Sequence, residues 1–326
     1  MNTYDLEIHL KDEDLTRSLR ADVAAGLTAT PKRLPPKWFY DARGSDLFEE
    51  ITRLPEYYPT RTERAILAEH ADQIAELTGA KTLVELGSGS SEKTRLLLDA
   101  LTAHGTLGTF IPLDVSASAL RDAVAQLATD YPGLTVRGIV ADFTRHLAAI
   151  PRGGSRLVAF LGGTVGNLVP AERAPFLSDL RATLEEDEFL LLGTGLVTEP
   201  AIVVPAYDDA AGVTADFNRN VLRVINRELD ARFDVDAFDH VALWDADQEC
   251  IEMRLRARAD MRVPIPGLDL TVGFSAGEEL RTETSAKFRR ETLERELVAA
   301  GFALERWWTD PAGLFAVSLA RAVRRQ

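Results

Sequence analysis

The chain has 326 residues, 46% of them hydrophobic, enough for one large or two modest domains with a real core. Lys and Arg number 37 against 51 Asp and Glu, a net charge of −14, which argues against a nucleic-acid backbone or an anionic membrane as partner. A single cysteine, Cys250, excludes an internal disulfide and suits a reducing cytosol. The N-terminus lacks a signal-peptide core, no window resembles a membrane span, and the scattered histidines offer no metal-ligand spacing.

In chain order, the first twenty or so residues are polar and are expected to be loosely ordered, and a Pro-rich segment follows. TRTERAILAEHADQIAEL, from Thr60, reads as a helix: Thr60 and Glu63 form a capping-box pattern, and Ile66, Leu67, His70, Ile74 and Leu77 recur at helical spacing before Gly79. TLVELGSGSSEKT (82–94) then runs from a strand into the turn Gly87-Ser88-Gly89 and a polar helix start. A dinucleotide fingerprint needs a third glycine at 92, where Glu92 stands, so a cofactor without a pyrophosphate is expected. The form E-x-G-x-G resembles the first motif of S-adenosylmethionine (SAM) methyltransferases. Four more strands are predicted at 110–115, 135–142, 156–162 and 189–196, separated by helical segments such as 117–128 and 171–184. Continuous apolar strands alternating with helices indicate an α/β fold, a parallel sheet covered on both faces.

That pattern breaks at Val197. Residues 208–232 read as one long helix with Val213, Phe217, Val221, Val224, Ile225 and Leu229 on one face. Ile251, Met253, Leu255 and Ala257 then alternate with charged residues, and Leu268, Leu270, Val272 and Phe274 repeat the period of two, which predicts antiparallel strands with one wet face. A helix over 291–300 and apolar runs at 302–308 and 314–320 would complete the first sheet. Two domains follow: a SAM-binding core of 60–196 plus 287–326, and a discontinuous substrate domain of 1–59 plus 197–286.

Ligands of open α/β sheets sit outside the carboxyl ends of the strands. Asp114 ends the second strand, where it can accept both ribose hydroxyls; Asp142 and Phe143 end the third and suit an adenine amine and ring. Lys93 can reach a methionine carboxylate. Gly162, Gly163 and Gly166 let backbone approach a small ligand, and Asn167 offers a donor and an acceptor beside them. Glu283 and Ser285 stand two apart, which on a strand points both to one face.

The segments LPPKWFYD, LPEYYPTR, FLGGTVGNL, YDDAAGVTADFNRN and TETSAKF together resemble the bacterial L-histidine Nα-methyltransferases of ergothioneine biosynthesis, from about Asp22 to the C-terminus. The resemblance implies a class I, Rossmann-like SAM methyltransferase sheet with a family-specific α+β domain, converting histidine to hercynine with three SAM per substrate. Carried over, Gly87, Lys93, Asp114, Asp142 and Phe143 would bind SAM. Tyr57, Gly162, Asn167 and Tyr207 would hold the amino-acid end of the substrate, with Tyr40 orienting the amine. Glu283 and Ser285 would take the imidazole nitrogens, with Met253 beside the ring. Gly163, Gly195 and Ala286 depart from the family's more usual serine, aspartate and cysteine. A cytoplasmic monomer without a metal is expected. The alternatives are methylation of a tryptophan-type amine and, more remotely, an NAD-dependent oxidoreductase or a non-catalytic SAM-binding module.

Overall fold

The computed structural model describes residues 4–89 and 93–324. The chain begins with β1 (Tyr4–Ile8), α1 (Asp12–Thr28), α2 (Ala42–Arg53) and α3 (Tyr58–Thr78). It continues through β2 (Thr82–Leu86), α4 (Thr94–Ala103), β3 (Thr109–Asp114), α5 (Ala117–Asp130), β4 (Thr135–Val140), β5 (Arg156–Phe160), α6 (Pro170–Thr183) and β6 (Phe189–Gly195). Next come α7 (Pro200–Val203), α8 (Val213–Leu229), β7 (Phe238–Asp245), β8 (Cys250–Ala257), β9 (Met261–Ile265), β10 (Leu270–Phe274) and β11 (Glu279–Ala286). The last elements are α9 (Arg290–Ala300), β12 (Phe302–Thr309) and β13 (Phe315–Ala322).

These elements form two compact units. The first holds the chain up to Lys11, Pro59–Val197 and the residues from Phe288 on. Its eight-stranded sheet has the order β1-β4-β3-β2-β5-β6-β13-β12. β1 to β6 run parallel where they pair, whereas β13 is antiparallel to both β6 and β12. Every residue of β5 is buried, as a strand covered on both faces requires. Its one charged member, Arg156, donates from Nε to Glu188 Oε1 (2.7 Å) and from its other nitrogens to the carbonyls of Pro151 and Thr183. The buried cation is thereby fully engaged. Strand order reverses on either side of β2, with β3 on one side and β5 on the other, and the carboxyl ends there form the crevice where such sheets bind ligands.

The N-terminal segment differs from expectation. Tyr4–Ile8 is an edge strand in register with β4, from Tyr4 opposite Val136 to Ile8 opposite Val140, so it belongs to the first unit and not to the second domain. Gly138 of β4 packs close to it: a Cβ there would stand 2.9 Å from Leu6 Cδ1, and that side chain would have to shift. The period-two pattern of Tyr4, Leu6 and Ile8 carried that signal.

The second unit holds Asp12–Tyr58 and Thr198–Lys287. Its strands form a three-stranded antiparallel sheet, β11-β8-β7, and a β9-β10 hairpin. The long helix predicted over 208–232 is shorter at both ends. Asp209 accepts from the N–H groups of Val213 (3.0 Å) and Thr214 (2.8 Å), Gly212 has φ +77°, and Asp230 ends α8 in the left-handed region. Leu268 lies in a 3-10 turn, Pro266–Leu268, and not in β10.

Candidate active site

In the first unit, four of the predicted residues, Gly87, Asp114, Asp142 and Phe143, stand at the strand ends. Gly87 follows β2 with φ +69°, and a Cβ on it would stand 3.9 Å from the Phe143 ring. Asp114, the last residue of β3, accepts from the N–H of Gly89 (3.0 Å) through Oδ2 and from that of Ser116 (3.0 Å) through Oδ1. Burial nevertheless pushes its carboxyl above the ordinary value, against the pull of those backbone donors. Asp142 lies just past β4, where its Oδ1 accepts from the N–H (2.9 Å) and hydroxyl (2.6 Å) of Thr144. The Phe143 ring stands edge-on to Phe160 at 5.0 Å and to Phe176 at 5.9 Å, an apolar wall held by its neighbours. Glu92, whose side chain bears on the cofactor's identity, lies outside the described residues.

Lys93 pairs with Glu63, and Glu63 also accepts from the N–H of Gly162 (2.8 Å to Oε1, 3.0 Å to Oε2). The capping box proposed for Thr60 and Glu63 does not form. α3 begins at Tyr58, so Thr60 already lies inside it, and the Glu63 side chain is fully buried and turned to the sheet. A Cβ on Gly193 would stand 1.9 Å from Glu63 Oε1, so only glycine there leaves the carboxylate room. Gly162, at φ +77°, would carry a Cβ 3.7 Å from Lys93 Nζ. Glu63 thus links Lys93 to the loop after β5. Asn167 ends a 3-10 turn, Thr164–Asn167, on that loop.

In the second unit, aromatic rings form a chain. Tyr40 stands edge-on to Phe48 (5.6 Å) and Phe217 (5.4 Å), Phe48 to Tyr57 (6.1 Å), and Tyr57 to Tyr207 (6.4 Å). Tyr57 and Tyr207 are buried, while Tyr40 is 42% exposed. Glu283 pairs with Met253 and Ser285 with Ile251 across β11 and β8. A bulge between Arg281 and Glu283 adds one residue, Thr282, to β11. Before the bulge Leu280 faces with Leu255; after it Glu283 and Ser285 share that face with Met253 and Ile251. Were Thr282 paired in regular register and not bulged out, they would lie on the opposite face, with Arg254 and Glu252.

Beyond the predicted set, the structure adds Lys287. This buried lysine donates to Tyr207 Oη (2.9 Å) and Ser285 Oγ (2.9 Å), and the Tyr207 hydroxyl donates to Ser285 Oγ (3.1 Å). Burial lowers the Lys287 pKa, with Tyr58, Glu283 and Cys250 opposing. Burial, then the negative charge of Glu283, raises that of Tyr207. Lys287 follows Ser285 by two residues, one past the end of β11, and the TETSAKF segment that contains it was singled out without it. Among the described residues, no cluster of His, Cys, Asp or Glu could hold a metal ion, and no helix is long and apolar enough to cross a membrane.

Gly87, Lys93, Asp114, Asp142, Phe143, Gly162 and Asn167 lie in the first unit, and Tyr40, Tyr57, Tyr207, Met253, Glu283 and Ser285 in the second. The strand order, the glycine turn and the acids at successive strand ends define a Rossmann-like SAM-dependent methyltransferase sheet. Residues 19–322 match histidine-specific, SAM-dependent methyltransferases, and the chain belongs to that family. It is similar to the histidine N-alpha-methyltransferase of Mycolicibacterium smegmatis, 58% identical over 318 residues that cover 98% of this chain and 99% of that protein. To the histidine N-alpha-methyltransferase of Mycobacterium tuberculosis it is 55% identical over 312 residues, 96% and 97% of the two chains. More distant is the 4-dimethylallyltryptophan N-methyltransferase of Claviceps fusiformis, 28% identical over 219 residues, 62% of this chain and 59% of that one.

Proposed function

We propose that this protein transfers three methyl groups in succession from SAM to the α-amine of L-histidine, giving hercynine for ergothioneine biosynthesis. The observation that carries the reading is the β11 bulge, which sets Glu283 and Ser285 on one face with Met253. A carboxylate and a hydroxyl beside a thioether suit a flat ring with two polar nitrogens. An indole would leave part of that polar pair without a partner.

The residues at the first unit's strand ends fit SAM. Asp114 would accept the ribose hydroxyls, Asp142 the adenine amine, Phe143 would cover the ring, and Gly87 leaves backbone accessible beside it. Lys93 would meet the methionine carboxylate with donors beyond the one it gives Glu63. SAM supplies an electrophilic methyl group when bound. The chain's own task is alignment of a neutral amine with it. Tyr57, Gly162, Asn167 and Tyr207 would hold the amino-acid end, and Tyr40 would orient the amine. Tyr207, its pKa raised by burial, orients and does not act as a base. Water would accept the amine protons, and the faces of Tyr40 and Tyr57 would tolerate the growing positive charge on nitrogen.

The second reading, a tryptophan-type acceptor, draws on the named substrate of the Claviceps relative. Glu283 separates the two. Glu283→Ala should lower kcat/KM for histidine by about two orders of magnitude and leave tryptophan no worse a substrate, in steady-state assays with both amino acids. Undiminished histidine turnover in this variant would overturn the assignment.

A further inference from the structure

The three-sided cluster of Tyr207, Ser285 and Lys287 has a direction. A serine hydroxyl has one proton to donate and two lone pairs to accept with. Ser285 Oγ accepts from Tyr207 (3.1 Å) and from Lys287 (2.9 Å), so both lone pairs are engaged. Tyr207 Oη accepts from Lys287 (2.9 Å) while giving its own proton to Ser285. What Ser285 retains is its O–H. Lys287 needs only two N–H groups for this and has them whether or not it is charged. All three side chains are buried, which shields the arrangement from competing water.

We infer that Lys287 is a positioning residue that makes Ser285 an obligate hydrogen-bond donor, so that the substrate imidazole is bound as its neutral tautomer. The ring nitrogen facing Ser285 presents its lone pair, and the nitrogen facing Glu283 carries the proton. The imidazolium, with a proton on both nitrogens, would set N–H against O–H at Ser285. This inference rests on histidine being the substrate and adds which protonation state of it is selected. The ionisable groups around Lys287 are Tyr58, Tyr207, Cys250 and Glu283, and burial holds the Cys250 thiol up at about 11.

The test uses the full chain, S-adenosylhomocysteine to prevent turnover, and histidine labelled with 15N in the ring. At about pH 6, where free histidine with a pKa of about 6.5 is mostly imidazolium, the bound ring should show one protonated and one unprotonated nitrogen. Lys287→Met should weaken histidine binding about tenfold, the worth of one hydrogen bond, and leave the SAM dissociation constant unchanged. Lys287→Gln, which keeps an N–H donor, should restore most of that loss. Should Lys287→Met not fold, Ser285→Ala reports instead, and should lose the preference for the neutral ring. Two protonated nitrogens in the wild-type complex would overturn the inference, as would histidine affinity unchanged by Lys287→Met or a neutral ring still preferred in Ser285→Ala. Failure of the wild type to methylate histidine would instead overturn the proposed function itself.

Discussion

Glu63 shows how much a single buried carboxylate can organise. It is fully buried, pairs with Lys93, and accepts the Gly162 N–H through both oxygens. Glu63→Ala would leave that N–H and part of the Lys93 charge uncompensated, so it should cost about 3 kcal/mol in urea unfolding. A loss below about 1 kcal/mol would mean that the pair organises little. Its role was not legible in the sequence, because three residues from Thr60 it reads as a helix cap. Its partners lie 30 and 99 residues further on. Asp114 was legible, since a strand-terminal acid after a glycine turn needs no tertiary knowledge to be singled out.

At the scale of elements, β11 depends on its bulge, and the bulge on a network. Thr282 donates to Asn218 Oδ1 (2.6 Å), and Asn218 Nδ2 donates to His240 Nδ1 (2.8 Å) and to the Arg254 carbonyl (3.0 Å). His240 Nε2 donates to the Tyr207 carbonyl (2.7 Å), so the neutral Nε2–H tautomer satisfies every partner. Burial lowers the His240 pKa, with Tyr207 opposing. The unfolded chain therefore binds the extra proton more readily than the folded one. Stability is full above pH 6.5 and is lost as pH falls below it, by at most about 1.4 kcal/mol per pH unit for this one group. Denaturation of wild type and His240→Asn between pH 7.5 and 5.5 should show a shallower pH dependence in the variant. Equal slopes would assign the acid sensitivity elsewhere. Deleting Thr282 should straighten β11 with Glu283 still opposite Met253 and Ser285 still opposite Ile251, so histidine methylation should persist while the lost Asn218 bond lowers stability. Lost histidine turnover with SAM still bound would show that Thr282 does more than set the register. The spacing of Glu283 and Ser285 was legible in the sequence, but the face they share was not, since a bulge leaves the local pattern of residue types unchanged.

Over the whole molecule, two periodicities carried most of the fold. Apolar strands separated by helices gave the parallel sheet, and the change to a period of two after Val197 gave the antiparallel one. β1 went unread although Asp5 and Glu7 complete its alternation with Tyr4, Leu6 and Ile8, because a run of five residues in a polar N-terminal stretch gives a weak period. The sheet's cofactor preference is open to a direct comparison. SAM at a hundred times its dissociation constant should stabilise the protein by about 2.7 kcal/mol, seen as a rise in Tm, and NAD should not. Stabilisation by NAD instead would revive the oxidoreductase reading that Glu92 disfavours.

This sheet and its second unit are proposed to serve methylation of histidine. The decisive measurement is the product mass after incubation of the full chain with SAM and L-histidine. Histidine heavier by three methyl groups should accumulate, with three S-adenosylhomocysteine formed for each. Unmodified histidine, with SAM bound but not consumed, would contradict the proposal.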